Sequence, residues 1–338
     1  MTRLLLALLW LTVPLAAQTK LHVYTWADYL NPDVVEAFED KFDCKVIIDT
    51  FDSNEAMYAR LKAGATGYDV VFPSSYIIKT MATENMLEQL DAAALPNKAN
   101  VDPEVLKMIA DSKMEHSIPY TLSYTVVAWR TDKIKDLEAS WALFDRADLK
   151  PRLTLLNDMR ETLGAALKFL GYSLNTKDQA QINAARDVVI RWKKNIAKFE
   201  NEQYKGGVDS GEFHAVMGYS GDLFQVVEEN PKVGILFPKE GVAMTSDEMA
   251  IPRGAPQKEL AHKFINYLLD AEVSAENMEW MGYLCPNVPA KKRVSAEFLS
   301  HPALAVPDEV KGKIEVIEDV GTDLAKYSKA WDEIKAAQ

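Results

Sequence analysis

Apolar and polar residues fall into alternating blocks along this chain, and the blocks predict strands and helices in turn. Leu21 to Thr25 reads as a short strand, followed by Asn31 as N-cap and Pro32 at the first helical position. An amphipathic helix is predicted from Pro32 to Lys41, and Lys45 to Thr50 alternates as a second strand. Ser53 caps a helix running to about Lys62, where Gly64 and Gly67 break the pattern. Asp69 to Phe72 is a third, nearly all-apolar strand, ended by Pro73. Strands separated by helices predict a parallel sheet, and a continuous apolar strand predicts burial on both faces.

The pattern then changes. Ile118 to Trp129 is a long β-rich run around Pro119, Tyr120 and Tyr124, suited to carry the chain from one domain to another. Beyond it, helices again mix with short strands: Arg152 to Leu156, a helix from near Arg160, a long helix from Gln179 to Phe199, and Glu212 to Gly218. Pro238-Lys239-Glu240-Gly241 leads to Asp247 and a strand from Glu248 to Ile251. The amphipathic helix predicted from Gln257 to Leu269 then reads as a return to the first domain. There are no repeats and no low-complexity tract. A chain of 338 residues exceeds what one core usually fills, so two domains are expected.

The opening run has a different meaning. Met1-Thr2-Arg3 is basic, Leu4 to Leu15 is apolar, and Ala16-Ala17 offers small residues for cleavage near Gln18. This predicts a secretory signal peptide over 1–17 and an exported, periplasmic product, since the run is too short to span a bilayer. No Cys lies at the cleavage point, which argues against a lipid anchor. Removing Arg3 with the leader leaves 37 basic against 50 acidic residues, a net charge of −13. Nucleic acid is therefore not an expected partner, because phosphate binding needs a basic surface. Cys44 and Cys285 are expected as two free or buried thiols, too few for a disulfide framework.

The strongest chemical signal is Trp26-Ala27-Asp28-Tyr29, at the carboxyl end of the first strand, where open α/β sheets place their ligand crevice. Aromatic faces attract cations and a carboxylate accepts charge-assisted hydrogen bonds from ammonium groups. The helix N-terminus that follows favours anions, so a cationic ligand needs further acids. Nucleotide cradles are absent, and the five His are scattered without metal-binding spacing, so no metal and no cofactor is expected. Gly218-Tyr219-Ser220-Gly221-Asp222 is close to a nucleophile elbow but ends in Asp222 rather than Gly. A hydrolase using Ser220 is thus weakly signalled, and the chain is read as a non-enzyme.

Six segments in order resemble one family: L-H-V-Y-T-W-A-D-Y-L-N-P-D at 21–33, Y-D-V-V-F-P-S-S-Y at 68–76, N-D-M-R-E at 157–161, G-Y-S-G-D at 218–222, D-E-M-A-I-P at 247–252 and M-G-Y-L-C-P-N at 281–287. Together they look like the spermidine/putrescine-binding periplasmic proteins of ABC importers. The resemblance implies the two-lobed, type II periplasmic binding protein fold, α/β in class, with the ligand cleft between lobes that each hold a mostly parallel sheet. It places 18–124 plus 246–290 in lobe I and 125–245 plus 291–338 in lobe II. It further implies a monomer that binds a polyamine and delivers it to an inner-membrane ABC permease.

Carried over by position, Trp26 and Tyr29 match the family's aromatic wall, and Asp28 its first acid. Ser75 and Tyr76 match the pair after the third strand. Asp158 and Glu161 match the acids that hold an ammonium group. Tyr219 stands where Trp is usual, Asp222 matches an acid of putrescine-type members, Asp247 the hinge acid, and Tyr283 a further aromatic. Two positions depart: Thr245 replaces an aromatic, and Ile317 replaces a polar amide, implying a less aromatic and roomier pocket. Three or four charged and cation–π contacts, less ordering costs, reach about −8 kcal/mol, or micromolar binding.

Plainer readings remain open for the same residues. Trp26 and Tyr29 can be core aromatics, Asp158 and Glu161 first-turn helix acids, Ser75 an N-cap, and Asp28 a loop cap. Binding of another small cation, or a role as a periplasmic sensor input, also fits.

Overall fold

A computed structural model describes residues 18–337, so the predicted leader over 1–17 lies outside the described residues. The strands are β1 (Thr19–Thr25), β2 (Cys44–Thr50), β3 (Val70–Val71), β4 (Ser117–Arg130), β5 (Leu153–Leu155), β6 (Ile196–Phe199), β7 (Ala215–Tyr219), β8 (Val233–Leu236), β9 (Ala243–Ala250) and β10 (Glu315–Val316). They join in the order β2-β1-β3-β9-β4-β7-β5-β6, with β10 on β9 and β8 on β4. Parallel pairing dominates at the two ends, where β1 pairs β2 and β3, and β5 pairs β6 and β7. The middle is antiparallel: β4 runs against β7, β8 and β9.

The β-rich run around Pro119 forms the long strand β4, which reaches two apolar cores. β4 contributes Ile118 and Tyr120 to one apolar core and Val126, Val127 and Ala128 to another. Pro119 lacks the N–H a central strand needs, and the register with β9 shifts between Pro119 and Thr121. The first core joins Leu21 and Val23 of β1 to Phe38, Met249 and Phe264. The second gathers Trp141, Phe144, Leu153, Trp192 and Tyr327. Val294, Phe298 and Leu304 also pack in the first core.

Local signals explain most boundaries. The Asn31 side chain accepts from Asp33 N and Pro32 opens the helix Pro32–Phe42. Ser53 caps the helix Asn54–Lys62. The long helix predicted to Phe199 stops at Lys193, and Ile196–Phe199 forms β6 instead. Asn195 turns the chain there, its side-chain amide donating to Phe144 O at 3.0 Å, and the apolar positions that follow pair with β5. Both cysteines are free and buried. No helix among the described residues is long and apolar enough to cross a membrane.

Phe264 is fully buried, with its ring 4.9 Å from that of Phe38. Phe264→Ala is expected to lower the unfolding free energy by about 3–5 kcal/mol in urea titrations, through lost transfer energy and a residual cavity. A loss below about 1 kcal/mol would contradict this packing.

Candidate functional site

Ten of the eleven residues singled out by sequence line one cleft: Trp26, Asp28, Tyr29, Tyr76, Asp158, Glu161, Tyr219, Asp222, Asp247 and Tyr283. The cavity volume is about 140 Å³, suited to a slim ligand. Ser75 is the correction. It is the first residue of the helix Ser75–Thr83, and its Oγ accepts from Ala110 N at 2.9 Å, away from the cleft. Its neighbour Ser74 lines the cleft, with its Oγ donating to Asp247 Oδ1 at 2.5 Å. One position along a helix start turns a side chain by about 100°, which sequence adjacency alone cannot resolve.

Three buried carboxylates define the chemistry. Asp247, on the antiparallel strand β9, accepts from Ser74 at Oδ1 and from the Tyr29 hydroxyl at Oδ2. Tyr29 also shares a 2.5 Å hydrogen bond with Thr121 of β4, so two strands fix its ring. Asp158 is the N-cap of the helix Met159–Phe169, its Oδ1 accepting from Glu161 N at 3.0 Å. Glu161 lies in that helix's first turn, accepting from Thr245 Oγ1 at 2.8 Å and from the Thr125 hydroxyl. Both acids thus lie at a helix start, as the plainer first-turn reading expects, and both line the cleft. Thr245, the departure from the aromatic, supplies a hydroxyl that orients Glu161.

Charge balance is unusual here. Among the described residues, no Lys, Arg or His lies within ion-pair distance of Asp158, Glu161 or Asp247. The buried Arg160 stands behind them, but it donates to neutral acceptors, Glu318 O at 3.0 Å and Asn175 Oδ1 at 2.8 Å. Burial, reinforced by the charge of Asp158, pushes the Glu161 carboxyl up to about 7. Burial pushes Asp247 up to about 6 against the hydrogen bonds from Ser74 and Tyr29. Burial also raises Asp158, opposed by backbone N–H groups and Arg160.

The aromatic groups are held rather than loose. Trp26 donates Nε1 to Phe72 O at 3.0 Å and packs at 4.4 Å on Phe51. Tyr283 donates to Asp222 Oδ1 at 3.0 Å, and Tyr204 donates to Asp222 Oδ2. A Cβ on Gly221 would stand 2.1 Å from the Tyr283 ring, so only glycine fits in G-Y-S-G-D. Asp28 takes the left-handed conformation at φ 53°, which an aspartate tolerates. Ile317, buried, closes part of the wall. Ser220 is fully buried, its Oγ accepting from Tyr124 N at 3.1 Å, so the elbow serves as a helix start.

Sequence reading missed Phe51, Thr125 and Lys205. Phe51 follows β2, so the same crevice rule that found Trp26 marks it. Nothing in Tyr204-Lys205-Gly206-Gly207 flags Lys205, whose Nζ reaches 2.7 Å from Asp28 Oδ2.

A family described as bacterial extracellular solute-binding protein matches residues 33–306. A spermidine/putrescine-binding periplasmic protein of Salmonella typhimurium is 35% identical, covering 94% of this chain and 92% of its own length. The putrescine-binding periplasmic protein PotF of Escherichia coli is 32% identical, over 96% and 93%. The solved structure of the spermidine/putrescine ABC transporter substrate-binding protein PotD from Streptococcus pneumoniae is 31% identical with a TM-score of 0.79, covering 94% and 99%.

The raised carboxyls predict an inverted pH profile of stability. An acid whose folded value lies above its unfolded one holds its proton longer in the folded state, so its contribution to stability falls as pH rises through that window. Glu161 and Glu248 at about 7 and Asp247 at about 6 act this way, while His214 and His301, lowered by burial, act oppositely. The ligand-free protein is expected to melt at a higher temperature near about pH 5.5 than near about pH 8, a difference Glu161→Gln reduces. A higher melting temperature at the alkaline end would contradict these placements.

Proposed function

The chain belongs to the bacterial extracellular solute-binding proteins, and from that premise we propose that it is a periplasmic protein capturing a polyamine, putrescine or spermidine, for an ABC permease. The observation that carries this reading is the set of three buried carboxylates, Asp158, Glu161 and Asp247, beside Trp26, Tyr29 and Tyr219 and without ion-pair partners among the described residues. An ammonium group removes the penalty of crowding such charges, and flat aromatic faces suit a methylene chain between two ammoniums. The acids anchor the charged ends, and the aromatics confine the apolar middle.

The mechanism we infer is hinge closure. We take the lobes as 18–124 plus 246–304 and 125–245 plus 305–337, joined by β4 and β9, a division supported by the two largest apolar cores. Asp158 and Glu161 belong to the second lobe, Trp26 and Tyr29 to the first, so one bound amine contacts both. Its binding energy favours the closed form, which the permease recognises as a monomeric, loaded carrier. The buried and hydrogen-bonded Ser220 argues against the hydrolase alternative.

Calorimetric titration of the refolded, ligand-stripped protein is expected to show micromolar or tighter binding of putrescine or spermidine, and no heat from a neutral amino acid. Asp247→Asn should weaken that binding by at least about tenfold, because it removes a buried counter-charge. A folded protein that binds neither amine, or an unchanged affinity in the variant, would overturn the reading.

A further inference from the structure

One end of the cleft already holds a cation. Lys205, on the short helix Tyr204–Ser210, places its Nζ 2.7 Å from Asp28 Oδ2 and 3.9 Å from Asp222 Oδ1. Its side chain is 24% exposed against 55% for Asp28, so the ammonium lies inside the acid that pairs with it. Asp222 is already engaged as well: Oδ1 accepts from Tyr283 and lies beside the Lys205 ammonium, and Oδ2 accepts from Tyr204. Glu202 and Asp52, the other acids of this part of the lining, are exposed to solvent. Asp158, Glu161 and Asp247 differ in kind, because they are buried and carry no ion-pair partner among the described residues.

We propose that Lys205 is a specificity-determining residue, an ammonium supplied by the protein itself that fills the Asp28–Asp222 end and shuts it to a ligand ammonium. The cleft then takes short diamines whose charges fit the Asp158, Glu161 and Asp247 cluster, and it discriminates against a three-charge amine long enough to reach the occupied end. The inference rests on the polyamine reading above and refines it. A ligand ammonium arriving at Asp28 and Asp222 meets the like charge of Lys205 in close quarters, which is selection by repulsion as well as attraction. The surrounding acids, chiefly Asp222 and then Asp28, outweigh burial and keep Lys205 protonated across the physiological range.

The test compares the refolded wild-type protein with Lys205→Met and Lys205→Gln by calorimetric titration with putrescine and spermidine. Met keeps most of the apolar stem, and Gln keeps a polar tip. Both are expected to raise spermidine affinity relative to putrescine by at least about tenfold, with putrescine itself changing by less than about threefold. Lys205→Arg, which keeps the charge, should hold the wild-type ratio. An unchanged or reversed ratio in both neutral variants, or an Arg variant that behaves like Met, would overturn the assignment while leaving the polyamine reading intact. If folded wild-type and variant proteins bind neither amine, the polyamine reading fails and takes this inference with it. Thermal melts of each protein confirm folding in every arm.

Discussion

The site depends on one electrostatic constraint: three carboxylates are held out of water and close enough to resist one another's ionisation. Removing a carboxylate from water is costly, and a neighbouring like charge adds to the cost, so such groups keep their protons or acquire a cation. Here the fold supplies hydroxyls and backbone N–H groups to each acid, from Ser74, Tyr29, Thr125, Thr245 and the first turn of the helix Met159–Phe169. These partners orient the carboxylates without neutralising them. The remaining unfavourable energy is what a cationic ligand can relieve, which ties affinity to the cost of maintaining the empty site.

The architecture makes that local constraint a property of the whole molecule. Asp247 and Thr245 ride on β9, Thr121 and Thr125 on β4, and these two antiparallel strands also link the two cores. Under the hinge reading, a rotation of one half against the other moves Asp158 and Glu161 relative to Trp26, Tyr29 and Asp247. Direct contacts already bridge the cleft at its rim, from Lys205 to Asp28 and from the Asn201 side chain to Asp52 O at 2.9 Å. Under the hinge reading, ligand, rim contacts and strand geometry favour the same closed arrangement. The glycine at 221 belongs to this design, because it leaves room for the Tyr283 ring that holds Asp222.

Much of this was legible in sequence because the signals are local. Asn31-Pro32 and Ser53 announce helix starts, and the aromatic-acid run after β1 lies where strand ends gather ligands. What remained illegible depends on tertiary geometry. Ser74 and Ser75 are adjacent and chemically identical, and only the helix start decides which one faces the cleft. Lys205 sits in an unremarkable segment and acquires meaning from Asp28, 177 positions away in the chain. The helix predicted through Phe199 failed because β6 is stabilised by pairing with β5, a long-range partner that helical periodicity cannot report. That Val294, Phe298 and Leu304 pack with the first core is of the same kind: apolar content predicts burial but not against which partner.

The central claim, that the cleft holds carboxyls waiting for a cation, is tested most directly by counting protons on binding. Putrescine binding would be measured calorimetrically near about pH 6.5 in buffers of different ionisation enthalpy, where Glu161 at about 7 and Asp247 at about 6 are both part-protonated. An arriving ammonium favours their ionised forms, so the account predicts net proton release, with affinity rising as pH increases. Binding with no proton exchange, or with proton uptake, would contradict it.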